Sequence, residues 1–438
     1  MLTAVARAFR TPDLRRKLLF TLLIMAIFRL GSAVPTPGVS YTLVKQCIAG
    51  ADPAQGFLGL VDLFSGGALL QLSVFALGIM PYITATIIIQ LLTVVIPRFE
   101  ALKKEGQAGQ TKMTQYSRYL TIGLAVLQSS TLITFARSPS QIFGPQCERI
   151  LADDSLPTII IMVLCLTAGT GLIMWLGELI TDRGIGNGMS LLIFTSIAAS
   201  FPSSLWAIKE QEGRWDVFIG IILVGFLVMA LVIFVEQSQR RIPVQYAKRQ
   251  VGRRMYGGSS TYIPLKVNMA GVIPVIFASS LLALPALVAQ FATPQDGSTP
   301  PDWVLWIQAN LTRGDSPIYM AIYVALILFF TFFYVSITFN PVEVADNMKR
   351  YGGFIPGIRA GRPTAEYLDY VLTRITVPGA LYLAAISLIP LIALAMFNAN
   401  QNFPFGGTSI LIIVGVGLET VKQIQAQLQQ RNYEGFLR

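Results

Sequence analysis

The sequence predicts an all-α polytopic membrane protein with ten transmembrane helices and a short re-entrant segment before the second. Three observations carry this. Of the 438 residues, 53% are hydrophobic and 13% charged, far from the average of soluble domains. Apolar stretches near the ~20 residues that cross a bilayer recur along the whole chain. Residues 57–96 run for 40 residues with a single charge, Asp62. That is too long for one span and has no polar turn to make it two.

The spans are expected at residues 18–34, 73–96, 119–136, 157–180, 186–207, 217–235, 270–291, 318–339, 377–397 and 407–421. The first begins near Leu18 and lacks a small-residue cleavage site after a short core, so it reads as a retained span. In 57–96 the break falls at Ser65-Gly66-Gly67. A short piece precedes it, and a full span comes after it with Gly78 and Pro81 inside. Such an order predicts a helix that enters the membrane and turns back. Non-helical backbone at that depth survives only against protein or a water-filled cavity. The two long connections, 236–269 and 340–376, carry breakers beside β-prone residues, as in RRIPVQY and FIPGIRAGRP. Each is expected to form a projecting hairpin.

Lys and Arg set the orientation. The connections on the side of the N-terminus hold 26 basic residues and those on the opposite side hold six. The bias places both termini in the cytoplasm.

Several function classes are disfavoured. The chain has no histidine, which removes the commonest metal ligand and the usual neutral-pH proton carrier. Cys47, Cys147 and Cys165 form no CxxC, so neither a metal centre nor a catalytic constellation is expected. Cys47 and Cys147 fall in external loops, where a disulfide is open to them. Cys165 lies mid-span as a small hydrophobe. The span interiors hold almost no ionisable groups; Arg29 lies toward the outer end of the first. Proton or ion coupling normally needs such groups. The pattern therefore fits a passive conduit better than a secondary transporter, although ten spans and broken helices occur in transporters too. GIGNG at 184–188 has no βαβ context and reads as a tight turn, not a dinucleotide loop.

Five stretches carry a family resemblance. They are LFSGGALLQLSVFALGIMPYITATIIIQLL at 63–92, RGIGNGMSLLIF at 183–194, RRIPVQYAKRQVGRR at 240–254, YIPLKVNMAGVIPVIFASS at 262–280 and YGGFIPGIRAG at 351–361. In this order they resemble the SecY family, the channel subunits of the bacterial protein-export translocase. The resemblance extends from TPDLRRKLLFTL at 11–22 to the ending RNYEGFLR. It implies two inverted five-helix halves around a central pore, 1–205 and 206–438. No repeat between the halves is visible in the sequence itself.

The resemblance also assigns residues. A pore ring maps to Ile79, Ile83, Met189, Ile193, Ile276 and Ile412. A narrow apolar ring dewets and blocks ions, yet its side chains part around a peptide. Met189 stands where isoleucine is usual, and its flexibility suits the same task. For any one of these aliphatics, an ordinary packing role is the alternative. The plug maps to 59–72, with Asp62, Phe64, Ser65, Gly66 and Gly67, where paired glycines permit a tight, displaceable turn. An external loop lying on the lipid is the other reading. A lateral gate would include Thr84, Thr86, Gln128, Asn187, Ser279 and Ser280. Polar groups there can bond across a helix seam and release at about 1 kcal/mol or less each. Simple helix glue or a bond to the backbone is equally open to them.

The basic cluster Arg240, Arg241, Lys248, Arg249, Arg253 and Arg254 serves topology. As a hairpin it would also dock ribosomal RNA or an acidic partner surface. Arg359, in the Pro356-Gly357 turn, would engage the motor SecA. The chain has no Walker motif and no cofactor is expected. The implied activity is outward passage of unfolded secretory polypeptides across the bacterial plasma membrane. Transmembrane segments would be released sideways into membrane lipid. The implied partners are SecE, SecG, SecA, the ribosome, signal sequences and unfolded preproteins.

Overall fold

The computed structural model describes residues 9–50, 65–69, 71–137, 150–151, 153, 155–212, 215–246, 249–251, 254–256, 260–292, 300–312, 316–397 and 407–434. In chain order the helices are α1 Pro12–Ser32, α2 Tyr41–Gly50, α3 Met80–Val95, α4 Pro97–Lys104, α5 Gln107–Arg137, α6 Leu156–Arg183, α7 Gly188–Glu212 and α8 Trp215–Gln237. Strands β1 Gln239–Tyr246, β2 Arg249–Val251, β3 Arg254–Tyr256 and β4 Ser260–Lys266 come next. Then come α9 Ile273–Phe291, α10 Asp302–Ile307, α11 Pro317–Thr338, α12 Pro341–Arg350, β5 Gly353–Phe354, α13 Arg362–Phe397 and α14 Gly407–Glu434.

Every expected span has a helix in it. Among the described residues, four stretches are long and apolar enough to cross a membrane: Leu156–Arg183, Pro317–Arg350, Arg362–Ile389 and Ser409–Gln430. The bent pair α3 and α4 makes a fifth, turned by 99°. Its cause is Pro97, which cannot continue a helix and pushes Ile96 into extended backbone at φ −105°, ψ 114°. Prolines also lie inside α7 (Pro202) and α9 (Pro285).

The second span departs from its expected limits. Helix α3 starts at Met80, not at residue 73, and residues 71–79 are mostly turns. Hydropathy registers apolar character, not helicity. Gly78 takes φ 55° and Leu72 φ 46°, both left-handed, which interrupts helical propagation. Pro81 then sits in the first turn of α3, where its missing N–H costs nothing.

The long connections differ from each other. In 236–269, β1 and β4 form the expected antiparallel pair, in register from Gln239↔Lys266 to Gln245↔Ser260. Residues Ile242 and Val244 alternate inward between exposed neighbours, the period-2 pattern of a half-buried strand. The connection 340–376 is not a second hairpin. It supplies α12 and the two-residue strand β5, which joins the other edge of β1 through Gln245↔Phe354 and Tyr246↔Gly353. Asn340 caps α12 by accepting from the N–H groups of Val342 and Glu343. Ile242, Val244, Leu265, Met348, Ile355, Leu368 and Val371 form one apolar core under this sheet.

The chain divides into two compact units. The first comprises Met1–Ile219, Met396–Phe405 and Ile412–Arg438; the second comprises Gly220–Ala395 and Gly406–Leu411. One core of the first unit gathers Leu69, Leu72, Ala76 and Leu77 with residues of α2, α5 and α6. Cys47 is disulfide-bonded and Cys165 is free, while Cys147 lies outside the described residues.

Candidate functional site

The turn region 65–79 is the centre of the first unit's site. Ser65 is buried, and its hydroxyl accepts the N–H of Leu69 at 3.0 Å. Gly66 and Gly67 take φ 69° and 86°. At Gly66 a side chain would also be crowded, since a Cβ would lie 3.1 Å from Cα of Ser196 on α7. The segment after this turn is laced to the chain that leaves α1. The hydroxyl and N–H of Thr36 both donate to the Leu72 carbonyl, and the Val74 N–H donates to the Val34 carbonyl. Phe75 stacks on Phe28 with ring centres 5.9 Å apart and covers Gly31. Asp62 and Phe64 lie outside the described residues.

Five of the six ring candidates belong to the first unit. Ile79 is buried and caps α3, and Ile83 lies one turn on, its N–H bonded to the Ile79 carbonyl at 3.1 Å. Met189 and Ile193 are four apart in α7 and so share a face. Ile193 is buried, Met189 half-buried. Ile412 is buried in α14. The sixth, Ile276, is buried in the first turn of α9 in the second unit.

The gate candidates mostly bond to their own backbone. Thr84 donates to the Met80 carbonyl, Thr86 to Tyr82 and Ser279 to Ile276, at 2.8 to 2.9 Å. Asn187 accepts the Met189 N–H at 3.1 Å and so caps α7. Gln128 is half-buried on α5. The buried hydroxyl of Ser280 has no hydrogen-bond partner among the described residues.

The GIGNG turn is built as a joint between helices. The Ile185 N–H donates to the Thr21 hydroxyl of α1, and the Gly188 N–H donates to the Thr181 hydroxyl of α6. Ile185 packs with Leu14 of α1 and Ile424 of α14. Arg118 of α5 holds Glu178 of α6 through two hydrogen bonds of 2.8 Å. The hydrogen bonding to Glu178 holds the Arg118 guanidinium more firmly protonated than usual.

The described docking candidates fall in the second unit, on two sheets and one turn. Arg240 and Arg241 are exposed on β1, and the Arg241 guanidinium lies 4.8 Å from the ring centre of Tyr262. Arg249 and Arg254 lie on the paired strands β2 and β3. Lys248 and Arg253 lie outside the described residues. Arg359 is exposed in the turn after Gly357, which takes φ 84°. The Thr364 hydroxyl donates to the Arg359 carbonyl at 2.8 Å, fixing that turn. Sequence reasoning noted Arg29 only as an exception within a span. Its side chain reaches the Gly66 carbonyl at 2.6 Å. The available signal was the cation itself, since an intramembrane Arg needs a partner.

A SecY family profile matches residues 73–421. The chain is 68% identical over its full length to the whole of "Protein translocase subunit SecY" of Streptomyces galbus. It is 58% identical to the protein of the same description from Micrococcus luteus, again over all of both chains. Among solved structures it is similar to "The structure of a protein conducting channel", with a TM-score of 0.63, 19% identity, and 94% of this chain and 91% of that one covered. It is also similar to "Sec61 in the Canine ribosome-channel complex from the endoplasmic reticulum", with a TM-score of 0.60, 17% identity and the same coverage.

Proposed function

The chain belongs to the SecY family, a family of protein-conducting membrane channels. From that premise we propose a gated conduit that passes unfolded secretory polypeptides out through the bacterial plasma membrane and lets transmembrane segments leave sideways into lipid. The observation that carries the proposal is the turn region 65–79. It interrupts an apolar stretch with left-handed backbone at Gly66, Gly67, Leu72 and Gly78. Irregular backbone inside apolar sequence fits a plug seated in a cavity, because lipid cannot satisfy its polar groups.

In this reading the plug covers 59–72. Ile79, Ile83, Met189, Ile193, Ile276 and Ile412 form an apolar ring that excludes ions when no peptide is present. Thr84, Thr86, Gln128, Asn187, Ser279 and Ser280 line the lateral gate. Ser280, buried without a bond partner among the described residues, is the candidate freest to bond across a seam. The chain performs no hydrolysis of its own. Energy comes from SecA or from the translating ribosome, docking on the β1–β4 hairpin and on Arg359. The partner SecE clamps the halves and SecG assists. Both termini lie in the cytoplasm, on the side of the basic connections.

The test is site-specific crosslinking from Ile83 and Ile276 in membranes that hold a stalled secretory chain. Adducts from both positions to the stalled chain are the expected result. With the stalled chain verified, no adduct from either position overturns the conduit and points to a small-solute transporter.

A further inference from the structure

We infer that Arg29 is a positioning residue that latches the plug turn in the resting channel. Arg29 lies in the last turn of α1, and its Nη1 donates to the Gly66 carbonyl across 37 residues of chain. At 2.6 Å this is a charge-assisted hydrogen bond, roughly twice as strong as a neutral one. A guanidinium in a span is costly unless it faces a partner or water. Here the partner is the backbone of a turn that has to move for a channel to open.

The geometry around Gly66 makes the latch specific. Gly66 lies between Arg29 and α7: a Cβ on it would stand 3.2 Å from Arg29 Nη1 and 3.1 Å from the Cα of Ser196. Ser196 is buried and lies one turn beyond Ile193 on the same helix. The turn is thus held on one side by a charge and on the other by the helix that carries two ring candidates. Val34 and Thr36 bind the chain further on, at Val74 and Leu72. Breaking the Arg29 bond therefore frees Gly66 while leaving the anchor at 72–74 in place. The Gly66 acceptor is a carbonyl, so the bond itself needs no side chain of the plug. The inference rests on the plug reading in one respect only, the step from a loosened turn to a leak.

The experiment uses the full chain with its partner subunits in inverted membrane vesicles without a translocating substrate. Ala68, buried beside the turn, is replaced by cysteine (A68C) and its alkylation rate measured, with the background of the chain lacking A68C subtracted. A125C, at a buried position on α5, serves as a control. Arg29→Leu should raise alkylation at 68 by roughly tenfold to a hundredfold, the shift for losing one hydrogen bond to a charged group, and leave 125 protected. Arg29→Lys, which keeps the charge on a differently shaped head, should fall between. Unchanged labelling at 68 in both variants overturns the latch, and so does an equal rise at 125, which would mean general loosening. If the leucine variant fails to insert, the lysine variant decides by the same two rates. A rise at 68 with no rise in ion permeability supports the latch and counts against sealing by the plug.

Discussion

Gly188 of α7 packs directly on the Gly177 carbonyl of α6, so close that a methyl group on Gly188 would overlap that oxygen. Gly177 in turn lies under the sulfur of Met189. Backbone meets backbone at this point, and the side chain of the ring candidate Met189 packs onto α6 beside it. Small residues permit such close helix approach in a membrane.

Gly188→Ala should therefore push α7 away from α6. Overpacking of this kind costs about 1–3 kcal/mol. The expected result is a lower thermal midpoint of the detergent-solubilised protein and reduced accumulation in membranes. A midpoint equal to that of the unaltered chain would show that α7 shifts without strain.

Ile276→Asn and Ile412→Asn should each loosen the ring. Both residues are buried, so a polar amide there draws water into the constriction and weakens dewetting. Export of precursors with defective signal sequences should rise in both variants. Unchanged export in both would remove these residues from the ring.

Arg359→Glu should impair SecA-driven transport several-fold while leaving membrane insertion of the chain intact. The side chain is exposed and its turn is held by backbone and Thr364, so the change alters charge and not fold. Wild-type translocation rates would end its docking role.

The Arg118–Glu178 pair should couple by about 1 kcal/mol or less, since the arginine is half exposed. A double-mutant cycle on thermal stability, with Arg118→Gln and Glu178→Gln, reads that coupling. It should shrink as salt rises through screening. A coupling of zero at low salt would make the pair incidental.

Much of the architecture was legible because it rests on local signals. Apolar length located the helices. The breakers beside β-prone residues in RRIPVQY marked the hairpin that contains β1. Two readings were altered by contacts that no local signal carries. Residues 73–79 are as apolar as a helix, but Val74 bonds to Val34 and Gly78 turns the chain, so α3 starts at Met80. The connection 340–376 has hairpin residues, yet β1 already pairs with β4 and offers its free edge to β5. Most gate candidates also illustrate a limit. Thr84 and Thr86 look available for bonds across a seam, but a threonine in a helix can always reach the carbonyl four residues back.

By itself the sequence determined that this is a helical membrane protein with several apolar spans, its charge asymmetry, the break at Ser65-Gly66-Gly67 and the family motifs. These depend on composition and short spacing, which need no fold to be read. Only the tertiary structure decided which residues the break rests on. Arg29 meets Gly66, Thr36 meets Leu72, and Thr21 meets Ile185 across 164 residues. Such pairings are set by how helices pack and which backbone groups remain unsatisfied after they do. That choice is global, because each polar group in a nonaqueous interior must find a partner wherever the fold brings one.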